Sequence, residues 1–133
     1  MGTIRRFEDL QVWSKSPDLT RFIYTITSHP SFNHDFRLRN QMRDAAGSIM
    51  SNIAEGFSRN TDKEFIQFLF VSKASVAEIQ SQFYIALDQN YLSEEAFQEI
   101  YEMCDHTSRM LSNLIKYLRS SVQNIRRSET RSQ

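Results

Sequence analysis

Arg43 to Arg59 reads RDAAGSIMSNIAEGFSR, and this stretch decides the fold. Wound at about 3.6 residues per turn, it carries two stripes. Leu38, Met42, Ala46, Ile49, Ile53 and Phe57, stepping by three and four, form an apolar side that must face a core. Ser48, Asn52, Glu55 and Arg59 form a small, polar stripe beside it on the same cylinder. Gly56 falls near the end, where helices commonly stop. A helix with one apolar side needs partners to bury it, and the remainder of the chain supplies three more.

The 133 residues suit one domain with a single sizeable core. Three Gly and two Pro leave little turn material, which argues against a sheet of many hairpins. Ten Phe and five Tyr provide bulk for a packed interior. Sixteen bases balance sixteen acids, so overall basicity gives no argument for nucleic acid. The balance is uneven along the chain. From Asp88 to Asp105 there are six acids and no Lys or Arg. From Lys116 onward come Lys116, Arg119, Arg126, Arg127 and Arg131 against the single acid Glu129. That pattern reads as a solvated face and a frayed tail, or as a basic surface displayed by an assembly. The lone Cys104 excludes an internal disulfide and fits a reducing, cytoplasmic setting. No segment reaches the uncharged run of about 18 residues that spans a bilayer, so no membrane partner is expected.

Taken in order, Phe7 to Thr27 reads as the first helix, with Leu10, Trp13, Leu19, Phe22, Ile23 and Ile26 on its apolar side. Pro17 interrupts it, at about 3 kcal/mol for a mid-helix proline. The expected outcome is a short turn followed by a kink, or a restart with Ser16 as N-cap and Pro17 at the first helical position. Ser28 to Asp35 is a turn cluster. The second helix runs from Phe36 to Phe57, and Thr61 to Glu64 then matches a capping box. The third, Asp62 to about Gln89, has a heptad-like seam of Phe65, Leu69, Ser72, Val76, Ile79, Phe83 and Ala86. Ser93 caps the fourth, whose first turn holds Glu94 and Glu95. Its seam is Phe97, Tyr101, Cys104, Ser108, Leu111, Ile115, Leu118, Val122 and Ile125.

Short connections and seams near period 3.5 predict an all-α, up-down-up-down antiparallel four-helix bundle. It occupies residues 1–125 as one domain, and residues 126–133 are expected to be a polar, disordered tail. The chain holds more apolar surface than one bundle needs, since a bundle helix hides roughly three positions in seven. Ile66, Phe68 and Phe70 fall off the seam of the third helix, and Ile100, Met103, Met110, Leu114 and Tyr117 form a second line on the fourth. Large exposed apolar patches mark interaction surfaces, so self-association is expected.

His29, His34 and His106 share no metal-ligand spacing, and Glu-x-x-His is absent. No Gly-rich phosphate loop and no nucleophile elbow occurs. Cys104 sits on a core seam, where thiols are usually inert. The expectation is a protein that is not an enzyme and takes no cofactor or metal. Ser48, Asn52 and Glu55 are then either an interhelical hydrogen-bond network or a ligand site, with the network favoured because buried polar groups need partners.

FEDLQVW (Phe7 to Trp13), QMRDAAGSIMSNIAEGFSR (Gln41 to Arg59) and KEFIQFLFVSKASVAEIQSQ (Lys63 to Gln82), followed by Tyr91-Leu92, carry a resemblance. Over about Phe7 to Leu118 the chain resembles the 23S rRNA intervening-sequence proteins, a bacterial family of four-helix bundles. The resemblance implies an up-down bundle without catalytic activity, and a homopentamer. It also extends to the accessory variability protein of diversity-generating retroelements, which implies reverse-transcriptase-like or RNA and DNA partners met through a basic surface. Contributors to such a surface would be Arg5, Arg6, Arg37, Arg39, Arg43, Arg59, Arg126, Arg127 and Arg131. Two departures stand out: Pro17 in the first helix, and zero net charge where the retroelement relative is basic.

Overall fold

A computed structural model describes the backbone over residues 4–132 and the side chains over residues 4–120. Four helices make up the described chain: α1 (Gln11–Thr27), α2 (Phe36–Phe57), α3 (Asp62–Asp88) and α4 (Glu94–Ser132). Short 3₁₀ turns, Phe7–Asp9 and Pro30–Phe32, precede α1 and α2.

Local chemistry sets most boundaries. Asp35 accepts from the Leu38 amide at 3.2 Å, Thr61 from Glu64 at 3.2 Å, and Ser93 from Ala96 at 3.1 Å. Each satisfies a donor that the first turn of its helix leaves orphaned. At the end of α3, Asn90 takes a left-handed φ of 62°. The Tyr91 amide then reaches the Ala86 carbonyl at 2.9 Å and the Asn90 amide reaches Leu87 at 3.0 Å, a Schellman arrangement that closes the helix.

Contacts fix the direction of every neighbour. Thr20 meets Met50 while Thr27 meets Arg43, so α1 and α2 run opposite ways. Ser72 bonds the Ile49 carbonyl and Phe65 packs its ring on Phe57, which makes α2 and α3 antiparallel. Gln80 bonds Asp105 and Tyr84 packs on Phe97, which does the same for α3 and α4. Helix α1 also packs against α4 and closes the ring. The result is the all-α, up-down-up-down antiparallel four-helix bundle, with Ile23, Met42, Ile49, Ile53, Leu69, Ile79, Phe83 and Leu111 at its centre. At one end the two turns are tied together: Phe32 and Tyr91 have ring centroids 5.2 Å apart, and the Tyr91 hydroxyl donates to Asp35 at 3.1 Å. Burial, then the Asp35 carboxylate, push the Tyr91 phenol above its ordinary pKa.

Three sequence expectations need correction. Helix α1 begins at Gln11 rather than Phe7 and passes through Pro17 without a restart. Ser16 is not a cap: it is buried inside the helix and its hydroxyl donates to the Val12 carbonyl at 2.6 Å. The reason is burial on both sides of the proline. One continuous rod puts Val12 before it, and Leu19 and Ile23 after it, into the same core, with Leu10 buried at its cap. At about 1.5–3 kcal/mol for each fully buried aliphatic side chain, that outweighs the roughly 3 kcal/mol of a mid-helix proline.

The second correction concerns α4. Ile100 is fully buried, and Met103, Met110 and Leu114 are half-buried against the core rather than lying on a free outer line. The buried set is Phe97, Ile100, Cys104, Thr107, Leu111, Ile115 and Leu118, with Tyr101 and Ser108 moved to the flank. The two sets share Phe97, Cys104, Leu111, Ile115 and Leu118 and differ only where Ile100 and Thr107 replace their neighbours, so the packing of the other helices, not the period of the pattern, decides which of two adjacent positions turns inward. Third, Gly56 does not stop α2. It is buried within the helix, which ends after Phe57 on Ser58.

Candidate functional surfaces

The polar stripe of α2 divides in two. Asn52 Nδ2 donates to the Ser48 carbonyl at 2.8 Å and lies 3.0 Å from Ser48 Oγ. Ser75 Oγ of α3 lies 3.0 Å from the same Ser48 Oγ, and Ser72 Oγ donates to the Ile49 carbonyl at 2.9 Å. Ser48 and Asn52 therefore belong to a hydrogen-bonded ladder that joins α2 to α3. Glu55 is exposed and pairs with Arg59 at 2.9 Å. Farther along the same flank, Gln82 Oε1 is buried without a protein partner.

The arginines whose side chains are described do not gather into one patch. Arg43 donates from Nε to Thr27 Oγ1 at 3.0 Å and from Nη2 to Ser28 Oγ at 3.1 Å, with its guanidinium 4.6 Å over Tyr24. It closes the carboxyl end of α1, where a positive charge is favoured. Arg39 turns instead onto the Phe36 ring at 4.6 Å. Arg59 is held by Glu55 and by the Phe68 ring, and Arg6 pairs with Glu8. Arg5 and Arg37 are exposed. Arg126, Arg127 and Arg131, with the tail 126–133, lie outside the residues whose side chains are described.

The outward face of α3 stands out more clearly. Phe70, Ala74, Ala77, Ser81 and Tyr84 step by four and three along it and are all exposed. Val71 and Ile85 flank them, 48% and 49% exposed. One charged residue, Glu78, stands among these positions. Helix α3 thus has two seams: one turned to the core, the other turned outward with bulky residues at its ends and small ones in the middle. The α3 residues singled out from sequence captured only Phe70 of this face. Ala74, Ala77 and Ser81 are too small to register as apolar surplus until the inward seam is placed.

Cys104 has no exposed surface, and burial, with Asp105 nearby, pushes its thiol up to about 12. A thiol so held is protonated at neutral pH and a poor nucleophile. Among the described residues no group of three or more His, Cys, Asp or Glu side chains is placed to hold a metal ion. No described helix is long and apolar enough to cross a membrane.

The fold defines the class as an antiparallel four-helix bundle whose most distinctive surfaces are helix faces. Residues 8–113 match the family of 23S rRNA-intervening sequence proteins, and the chain belongs to that family. A structural relative supports the fold: a crystal structure of a protein of unknown function from the S23 ribosomal protein family of Bacteroides thetaiotaomicron. It superposes with a TM-score of 0.72 at 20% identity, covering 79% of this chain and 95% of that one. No curated protein matches the chain. Neither description names a reaction.

Proposed function

We propose that this protein is a non-enzymatic, homo-oligomeric scaffold or adaptor of the cytoplasm. Five copies would form a ring that works beside rRNA intervening sequences or nucleic-acid-handling partners. The supporting observation is the outward seam of α3, with Tyr84 54% and Phe70 40% exposed on a helix whose other side already fills the core. From Phe70 to Ile85 the seam is roughly 22 Å long at about 1.5 Å per residue. Small residues at its middle let a second helix approach closely, in the manner of a coiled-coil seam. A second copy of the chain is the occupant that fits, because a neutral chain carries no net charge to repel its own kind.

Light scattering at tens of micromolar protein tests the reading. The expected mass is a multiple of the 15.7 kDa chain, five-fold for the ring. Ala77→Arg, at the middle of the seam, should return the protein to a single folded chain. A wild-type mass of one chain under those conditions overturns the proposal.

A direct RNA- or DNA-binding role through the arginines named from sequence has less to support it. Arg39, Arg43 and Arg59 are engaged within the chain and point to separate neighbours.

A further inference from the structure

A groove of about 420 Å³ opens between α3 and α4, on the α4 flank of the outward seam. Lys73 of α3 and Lys116 and Arg119 of α4 line it, together with the hydroxyl residues Ser112 and Ser120. The ion pairs among the described residues are Arg6 with Glu8, Arg21 with Asp18 and Arg59 with Glu55, so none of these three cations has an acidic partner there. The α4 acid on this flank, Asp105, stands farther along and accepts from Gln80 at 2.9 Å.

Three unpaired cations converging on one groove repel each other, and an anion among them removes that repulsion. Arg119 is held in a useful pose: its guanidinium lies 5.1 Å over the Phe70 ring. Stacking fixes the guanidinium plane and leaves its N–H edges free for oxygen acceptors. Two ammonium groups, one guanidinium and two hydroxyls offer more donors than a planar carboxylate can use, whereas a phosphate presents several oxygens and up to two charges. The volume lies within the range of about 300–1,000 Å³ usual for small-molecule sites, so the phosphate would be part of a larger ligand.

We propose that the α3–α4 groove binds the phosphate of a nucleotide unit through Lys73, Lys116 and Arg119, whether that unit lies in an RNA strand or is free. The groove is complete within one chain. The nucleic-acid setting of the function proposed above bears only on which source supplies the phosphate.

The test titrates the full-length protein with a labelled single-stranded RNA dodecamer, with ATP and with inorganic phosphate, at 50 and 200 mM salt. Light scattering is run on the same samples. RNA should bind and weaken as salt rises. The variant K73Q/K116Q/R119Q should lose at least ten-fold in affinity, and its log–log salt slope should fall by about 2, near 0.7 per cation removed. The control K15Q/R21Q/K63Q removes three exposed cations elsewhere and should keep most of the affinity. ATP binding that the triple variant abolishes, with RNA failing to compete, assigns the site to free nucleotides. Inorganic phosphate displacing either ligand supports the anion contact. Circular dichroism on both variants confirms the fold. The proposal is overturned if wild type binds neither RNA nor ATP at 50 mM salt, or if the control loses as much as the triple variant. A single-chain protein that still binds RNA through the groove sinks the scaffold reading alone, and an oligomer that binds no phosphate ligand sinks the groove alone.

Discussion

Gly56 of α2 lies so close to Phe68 of α3 that a Cβ built on the glycine would stand 2.7 Å from the Phe68 Cβ. It would also meet the Phe65 ring at 2.9 Å and the Phe65 carbonyl at 3.3 Å. Real carbon atoms do not approach so closely, and a Cβ tied to its own backbone cannot swing away. The glycine is kept by the near contact of two helices just before the turn that joins them.

Gly56→Ala should therefore destabilise the bundle. Alanine gains up to about 1 kcal/mol in helix propensity, but overpacking a close contact costs about 1–3 kcal/mol. A net loss of up to about 2 kcal/mol is expected in urea unfolding. A midpoint that rises instead would show that α3 can move aside freely.

Asn52 and Ser75 converge on one atom, Ser48 Oγ, from two helices. Asn52→Ala and Ser75→Ala should each lower stability by about 1 kcal/mol, the usual worth of such a bond. Because they share a partner, the double variant should depart from additivity by about 0.5 kcal/mol or more. Strict additivity would mean that the ladder acts as separate bonds.

Pro17 sits within a continuous α1 and offers no amide to the Trp13 carbonyl. Pro17→Ala restores that donor, so stability should rise by about 1–3 kcal/mol and residue 17 should gain a hydrogen-exchange-protected amide. A loss of stability would show that packing of the proline ring matters more than the missing bond.

Cys104 gives the pH prediction. Burial and Asp105 raise its thiol from an ordinary 9.0 to about 12 in the folded chain. The stability tied to this proton is intact below about pH 9 and is lost as pH climbs toward 12, because the unfolded chain releases the proton first. The slope from one such group is at most about 1.4 kcal/mol per pH unit. Cys104→Ala lowers stability at neutral pH through the cavity it leaves, and its profile between pH 9 and 11 should be flatter than wild type. Thiol reagents should label Cys104 only as fast as the chain unfolds. Rapid labelling of the native protein, or parallel pH profiles, would contradict the burial.

How much of this was legible in the chain varies with the physics of each feature. Thr61 and Ser93 cap the helices predicted from their hydroxyls, and Phe36–Phe57 has the predicted boundaries, since caps and periodic burial are local properties. The restart expected at Ser16 and Pro17 does not occur, because the local penalty is overruled by core packing on both sides. Ile100 and Tyr101 fit the repeat equally well in sequence, and only the packing of the neighbouring helices turns Ile100 inward. Arg43 looks like a surface cation in sequence, but its partners Thr27 and Ser28 come from another helix. The basic groove was half visible as the charge shift that begins at Lys116. Bringing Lys73 to it requires the register of α3 on α4, which no single helix encodes.

The ring of helices also sets an order of assembly. Every helix meets its successor, so most of the interior forms between segments close together along the chain, and such topologies fold fast. The α2–α3 hairpin, fastened by its serine ladder and tight turn, is the natural place for the first structure to appear. Joining α1 to α4 is the long-range step, and the rod that must make it contains a proline. Nucleation and ring closure therefore fall at opposite sides of the bundle, and changes near Ser72 should slow folding while changes near Val12 should mainly hasten unfolding.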